Sequence, residues 1–329
     1  MTKQERLVGN ESEAENSLAL YCERFFKIFK LQRSPKNLQE IYEAFSILKD
    51  QIDKGEPTAS IIGKHIYEHI SGEAIRKRRV TSIDFEEFLT TFFEGIIVES
   101  EDRTKYLEEL PGRDDFSRRV SRNRLEKLDV RIGKLLLSVK TLIPENKELN
   151  AGSFSAEALF EGFLSPVPNE RTDLGSQSAL EEKFNKIAKA GNWKDFAERF
   201  EQMVRTIYLT DWIFAIKGGQ HCDIYLLTGE KFRELMINCV KDGPSKAVQL
   251  INRFEAHAIR TRLEPLFAEA MHVRVDLIGP CSGRLIKLDN LIRNIQSIAV
   301  DTLCGELSPK SAMEQIQSQL KELIKIVNP

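Results

Sequence analysis

The chain holds five cysteines in 329 residues, and no two of them form a CxxC pair. Cys22, Cys222, Cys239, Cys281 and Cys304 are widely spaced and odd in number. Zinc ribbons, thioredoxin-type redox chemistry and a disulfide framework are therefore unsupported. Long hydrophobic runs are also missing: no stretch approaches 18 uncharged apolar residues, and the opening residues 1–6 carry no signal-peptide core. The expectation is a cytoplasmic protein with no membrane span. Excess charge of either sign is lacking too. Lys and Arg number 48 against 50 Asp and Glu, a net of −2, which excludes a polycation that coats nucleic acid or acidic lipid. What is present is 41% hydrophobic and 30% charged residues, enough for one large domain or two ordinary ones with a buried core. Disordered and collagen-like chains are ruled out.

Apolar residues recur at three- and four-residue spacing over 14–31, 37–54, 58–70, 82–98 and 115–127, which predicts helices. Ser82, followed by Glu86 and Glu87, reads as an N-cap with acidic first-turn residues. From 144 to 178 the texture changes, with Gly152, Pro166, Pro168 and Gly175 as punctuation and a short helix near 155–163. The second half reads as mixed. Helices are expected at 178–190 and 193–209, strands at 212–217, 224–227 and 232–240, and a long helix over 244–271. A strand at 273–277 and helices at 287–303 and 308–327 complete it. The fold class expected is helix-rich α/β. Its parts are a helical region 1–80, a core 81–165 with a small mixed sheet flanked by helices, a linker 166–177, and a mixed region 178–329 for target recognition or dimerisation.

Residues 128–142, Leu-Asp-Val-Arg-Ile-Gly-Lys-Leu-Leu-Leu-Ser-Val-Lys-Thr-Leu, fit two patterns. Leu128, Ile132, Leu135, Val139 and Leu142 suit a helix. Val130, Ile132, Leu135, Leu137 and Val139 suit one face of a hairpin turning at Gly133-Lys134. Glycine inside a helix costs roughly 1 kcal/mol relative to alanine, which favours the hairpin. A two-residue turn pairs Ile132 with Leu135 and sets Asp129 opposite Ser138. Asp129, Ser138 and Lys140 then share one face of the sheet. Phosphodiester hydrolysis needs such parts: a carboxylate to hold Mg2+ against the phosphate, and a cation to orient and activate the attacking water.

An Asp opening one strand, with an (acid)-x-Lys position on the next, resembles the PD-(D/E)xK nuclease core, whose largest population is the type II restriction endonucleases. The likeness covers residues 82–163. It implies a Mg2+-dependent, sequence-specific endonuclease that cleaves double-stranded DNA, with Asp129 as the metal-binding acid and Lys140 as the catalytic lysine. It also implies a homodimer matched to a palindromic site, and a companion DNA methyltransferase encoded nearby. The pattern is departed from in two places. Leu128 replaces the usual proline, and Ser138 stands where Asp or Glu is wanted. Some restriction enzymes carry Ser-x-Lys and take the second carboxylate from the following helix, where Glu157 is the counterpart and Glu161 the reserve. Glu86, Glu87 and Glu94 lie on an earlier helix, where relatives place an extra carboxylate.

Charge is laid out in blocks. Residues 111–140 hold nine Lys/Arg and four Asp/Glu, and residues 81–110 hold two basic and nine acidic. Arg118, Arg119, Arg122, Arg124 and Lys127 lead into the hairpin and are the expected phosphate contacts. The alternative is a non-catalytic protein that binds nucleic acid or protein through the basic segment 113–134.

Other signals are weaker. Asp223 with Lys241 could supply the same chemistry through a bulge or wide loop. His65-Ile-Tyr-Glu-His69 fits an inverted zinc-protease motif but lacks a third ligand. Residues 279–284, Gly-Pro-Cys-Ser-Gly-Arg, form a turn without the P-loop lysine. Arg253 and His257 are one residue short of the Arg and His spacing of helical RNases.

Overall fold

The computed structural model describes residues 34–54, 81–98, 128–153, 156–218, 221–255, 258–276 and 280–327. The expected helices at 14–31, 58–70 and 115–127 lie outside them, as do His65, His69, His257, Arg118, Arg119, Arg122, Arg124 and Lys127. The chain is a mixed α/β protein with a mixed sheet. In order it forms α1 (Leu38–Asp53), α2 (Thr81–Phe93), β1 (Ile96–Ile97), β2 (Val130–Ile132), β3 (Leu135–Leu142), β4 (Glu148–Ser153) and α3 (Ala156–Phe160). Next come α4 (Gln177–Lys189), α5 (Trp193–Ile207), β5 (Asp211–Lys217), β6 (His221–Leu227), α6 (Gly229–Lys241) and α7 (Pro244–Leu250). The last are β7 (Ile251–Glu255), β8 (Ala258–Arg262), α8 (Leu263–Glu269), β9 (Met271–Asp276), α9 (Pro280–Leu303) and α10 (Pro309–Val327). No helix among the described residues is long and apolar enough to cross a membrane.

Six strands make one sheet in the order β1-β2-β3-β5-β6-β9. All neighbours are antiparallel except β3 and β5, which run parallel with Val139 beside Ile213. The strand alternation splits its side chains between two cores. Val130, Ile132, Leu137, Val139, Ile213 and Ile224 pack beneath α1 and α2, against Phe45, Phe88 and Phe92. Leu142, Trp212, Phe214 and Leu227 point the other way, into a core shared with α4, α5 and α6 through Phe184, Phe200 and Phe232. A second sheet, β4-β8-β7, adds Phe254 and Ile259 to that second core.

The hairpin forms as its alternation predicts, with Ile132 paired to Leu135 across Gly133-Lys134. Gly133 has φ +58°, the left-handed value such a turn needs at its first position. A Cβ there would also lie 3.1 Å from that of Ser34. Gly133→Val is expected to cost at least about 1–2 kcal/mol, read as a lower urea midpoint with unchanged m-value.

Several expectations need correction. The helix expected over 82–98 is described as Thr81–Phe93 and stops there, because Glu94 takes φ +48° and Gly95 passes close under β2. A Cβ on Gly95 would sit 2.8 Å from the Arg131 carbonyl. Residues 232–240 are helix α6, not strand: Thr228 caps it by accepting the Lys231 N–H, and Phe232, Met236 and Val240 recur at helical spacing. The long helix over 244–271 is instead α7, the β7-β8 hairpin, α8 and the start of β9. Pro265 would have cost about 3 kcal/mol in its interior; in α8 it falls within the first turn, where the missing N–H is tolerated. Residues 148–153, read as loop, form β4. The helix near 155–163 is shorter, Ala156–Phe160. The helix expected from 287 is described as Pro280–Leu303, so residues 280–284, expected as a turn, are helix, and Gly279 lies outside the described residues. The six-stranded sheet also crosses the expected 166–177 linker, since β3 pairs with β5, and Leu174 in that segment is fully buried.

Candidate functional site

The hairpin register, continued one residue past Val130, brings Asp129 to Ser138. There the regular ladder stops and side chains take over. The Asp129 N–H donates to the Leu137 carbonyl at 2.9 Å, and the Asp129 carbonyl accepts from Val98 N–H at 3.0 Å. Its carboxylate Oδ2 accepts the Val139 N–H at 2.8 Å and the Lys140 ammonium at 2.9 Å. The same Nζ donates to the Val139 carbonyl at 2.6 Å. Both peptide groups flanking the end of the β2 ladder are thereby satisfied by an ion pair whose side chains are only 15% and 21% exposed. Asp129 and Lys140, predicted from spacing alone, do meet.

Ser138 does not reach solvent. It is fully buried, and its hydroxyl shares a hydrogen bond of 2.8 Å with that of Thr210, just ahead of β5. Glu157 is not brought to the pair. It lies exposed on α3, after the β4 strand of the second sheet, and bonds neither Asp129 nor Lys140. Glu161, past the end of α3, is exposed as well. Glu86, Glu87 and Glu94 belong to α2 and its end, and α2 covers the sheet face opposite Asp129 and Lys140.

The reserve pair is separated. Lys241 ends α6 and bonds Glu201 at 2.6 Å, because the segment that carries it is helix and turns away from β6. Asp223 instead anchors a cluster that spacing arguments missed. Arg274 donates to it through Nε at 2.8 Å and through a terminal nitrogen at 2.9 Å. His272 Nε2 lies 2.8 Å from the same carboxylate and His221 Nε2 3.4 Å. The alternation of β6 and β9 carried the signal: His221, Asp223 and Tyr225 on one strand and His272, Arg274 and Asp276 on the next share one face. It is the face that carries Lys140, which lies two strand spacings across and two residues along from Asp223, about 12 Å away. Arg253, the other half of the RNase-like pair, is held by Glu148 and Glu255.

Burial pushes the Asp223 carboxyl up, but the bonds from Arg274 and His272 outweigh it, so its pKa lies below the ordinary carboxylate value. A depressed carboxyl stabilises the fold fully above its unfolded pKa of about 4, and that stability is lost as pH falls through the lowered value. Asp223→Ala should therefore lose about 1–3 kcal/mol at neutral pH. The deficit should shrink in acid, which melts recorded from pH 7 down to pH 3 would show.

Chemically, Asp129 offers one preorganised oxygen donor group of the kind Mg2+ takes. That ion accepts one or two carboxylates and completes its shell with water and phosphate oxygens. Among the described residues no three His, Cys, Asp or Glu side chains gather into a metal-holding group. Asp129 thus fits as a single carboxylate ligand, with Lys140 beside it as a fixed positive charge. Lys140 stands in β3 beside Phe214 in the middle of β5, and Asp129 stands just ahead of β2, opposite Ser138. Comparison with protein-family models, with curated proteins and with solved structures finds no match to this chain.

Proposed function

We propose that the chain is a Mg2+-dependent, sequence-specific endonuclease of double-stranded DNA, with a restriction-endonuclease-like core and Asp129 and Lys140 at its reaction centre. One observation carries this reading: the acid and the lysine singled out by their spacing converge at 2.9 Å, partly buried, on a mixed sheet with helices on both faces. Asp129 would hold Mg2+, whose charge offsets the negative charge that builds on the scissile phosphate. Lys140 orients the attacking water and favours its hydroxide form. The water oxygen bonds phosphorus as the ester bond in line with it breaks, and the departing oxygen takes up a proton. Glu157, exposed on α3, is the second carboxylate of the sequence pattern but stands apart from the pair, so it enters the proposal only as a residue to test. Arg118, Arg119, Arg122, Arg124 and Lys127 are the proposed phosphate contacts. A methyltransferase gene beside this one would be the genetic counterpart.

The test is plasmid cleavage. Unmethylated DNA incubated with the protein and Mg2+ should give discrete fragments, and EDTA should prevent them. Folded protein that cuts none of a panel of unmethylated genomic DNAs overturns the proposal.

A second reading has one observation in its favour. Asp129 and Lys140 cap the Val139 peptide, a structural role sufficient to hold them together without catalysis. In that reading the protein binds nucleic acid or protein through the basic segment 113–134. DNA binding that is equal with and without Mg2+, and no cleavage, would mark it.

A further inference from the structure

Six of the nine exposed large hydrophobic side chains among the described residues lie on the last two helices: Ile292, Val300 and Leu303 on α9, and Met313, Leu320 and Ile324 on α10. These helices form an antiparallel hairpin. Gly305 at φ +79° ends α9, and Ser308 opens α10 by accepting the Ser311 N–H. Their mutual seam is marked by buried Leu291, Ile298 and Ala312. Each exposed stripe is offset from that seam by one residue in the same direction. On α9 Ile292, Ala299 and Leu303 follow Leu291, Ile298 and Thr302; on α10 Met313, Leu320 and Ile324 follow Ala312, Gln319 and Leu323. One residue is a rotation of about 100°. Because the helices run in opposite directions, an equal turn on both brings the two stripes to the same side of the hairpin. The result is one side of a two-helix layer that carries Ile292, Leu303, Met313, Leu320 and Ile324, interrupted by Gln296 and Gln317, with nothing described covering it.

We infer that this face is a homodimer interface, in which two copies of the hairpin close into a four-helix bundle. The charges beside the stripe are self-complementary. A two-fold antiparallel copy that sets Met313 against Ile324 also sets Leu320 against Gln317. The same register puts Glu314 between Lys321 and Lys325 of the second copy, twice by symmetry. All three are exposed, and among the described residues Lys325 pairs with neighbouring Glu322. A partner charged strongly in one sense would match this mixed flank poorly. The area is also sufficient. A 19-residue helix is about 28 Å long, and two side by side are about 20 Å wide, so the pair of faces buries about 1,100 Å2 in total, just above what a specific interface needs. The inference does not rest on the nuclease reading, and neither fails with the other.

Sedimentation of the full chain should give twice the 37.7 kDa of one copy. Leu320→Glu with Ile324→Glu should return it to a single copy with an unchanged circular dichroism spectrum. Glu314→Lys, at an exposed position that cannot unfold the helix, should raise the dimer dissociation constant about tenfold or more. Adding Lys321→Glu and Lys325→Glu to it should reverse the loss. A wild-type chain that stays single at tens of micromolar overturns the inference, as it would if another part of this chain covered the stripe. So does a dimer that the folded stripe and charge variants leave unchanged.

Discussion

Replacing Asp129 or Lys140 by alanine should reduce Mg2+-dependent cleavage by at least about 100-fold, the usual cost of losing a positioned catalytic charge. DNA binding measured without Mg2+ should be largely retained, because its main contacts are expected elsewhere. Each alanine also uncaps one side of the Val139 peptide, at a cost of about 1–3 kcal/mol. Loss of activity alone therefore does not distinguish chemistry from support. Asp129→Asn does. Its amide oxygen can still accept the Val139 N–H, but it carries no charge for a metal ion. The expected result is a melting temperature near wild type with cleavage lost. Wild-type cleavage by Asp129→Asn would remove Asp129 from the reaction even if the protein cuts DNA. Glu157→Ala tests the second carboxylate separately. Undiminished cleavage there leaves Asp129 as the only carboxylate of the proposal that matters.

The hairpin was legible because everything that determines it is local. A glycine at positive φ, strict alternation on both sides and a two-residue turn fix the register, and the register brings Asp129 to Lys140. Helix α6 was misread because Phe232 to Val240 is a short apolar run, and only the Thr228 cap and the four-residue spacing separate helix from strand. The β7-β8 hairpin was hidden in a different way. Its polar positions carry Arg253, Glu255, Arg260 and Arg262, which resemble the solvated face of a helix, and Glu255 pairs with Arg253 on its own strand and with Arg260 across the hairpin. Proline 265 was the signal against a continuous helix. The parallel pairing of β3 with β5 could not be read locally at all. It joins residues more than seventy apart in sequence through helices α4 and α5, and its reward is burial of Trp212 and Phe214 on one face and Ile213 on the other. That pairing also brings Thr210 to Ser138, so the environment of the missing acid was invisible until the sheet was assembled.

Ser138→Asp, which would restore the acidic residue of the nuclease pattern, should destabilise the protein by several kcal/mol and fail to improve cleavage. Ser138 is fully buried, and its one described side-chain partner is the Thr210 hydroxyl at 2.8 Å. A carboxylate in its place would lose its hydration, with the neutral Thr210 hydroxyl as its described partner there, while Lys140 is already committed to Asp129. Asp129 lies opposite on the neighbouring strand, so the new charge would also face a like one. Several kcal/mol is a large part of the roughly 5–15 kcal/mol that holds a domain folded. Burial and the like charge both favour the protonated acid, so the variant's carboxyl should titrate above its unfolded value. A raised carboxyl binds its proton more tightly in the folded state. The variant should thus be least impaired near pH 4 and lose further stability as pH rises through the folded value. Melts of Ser138→Asp and wild type from pH 4 to pH 8 measure this directly. Ser138→Ala, which removes the hydroxyl bonded to Thr210 and introduces no charge, should cost about 1–3 kcal/mol with no such pH dependence. A Ser138→Asp protein as stable as wild type and faster at cutting DNA would contradict the burial argument, and would mean that the hairpin opens at this position to admit a second metal-binding acid.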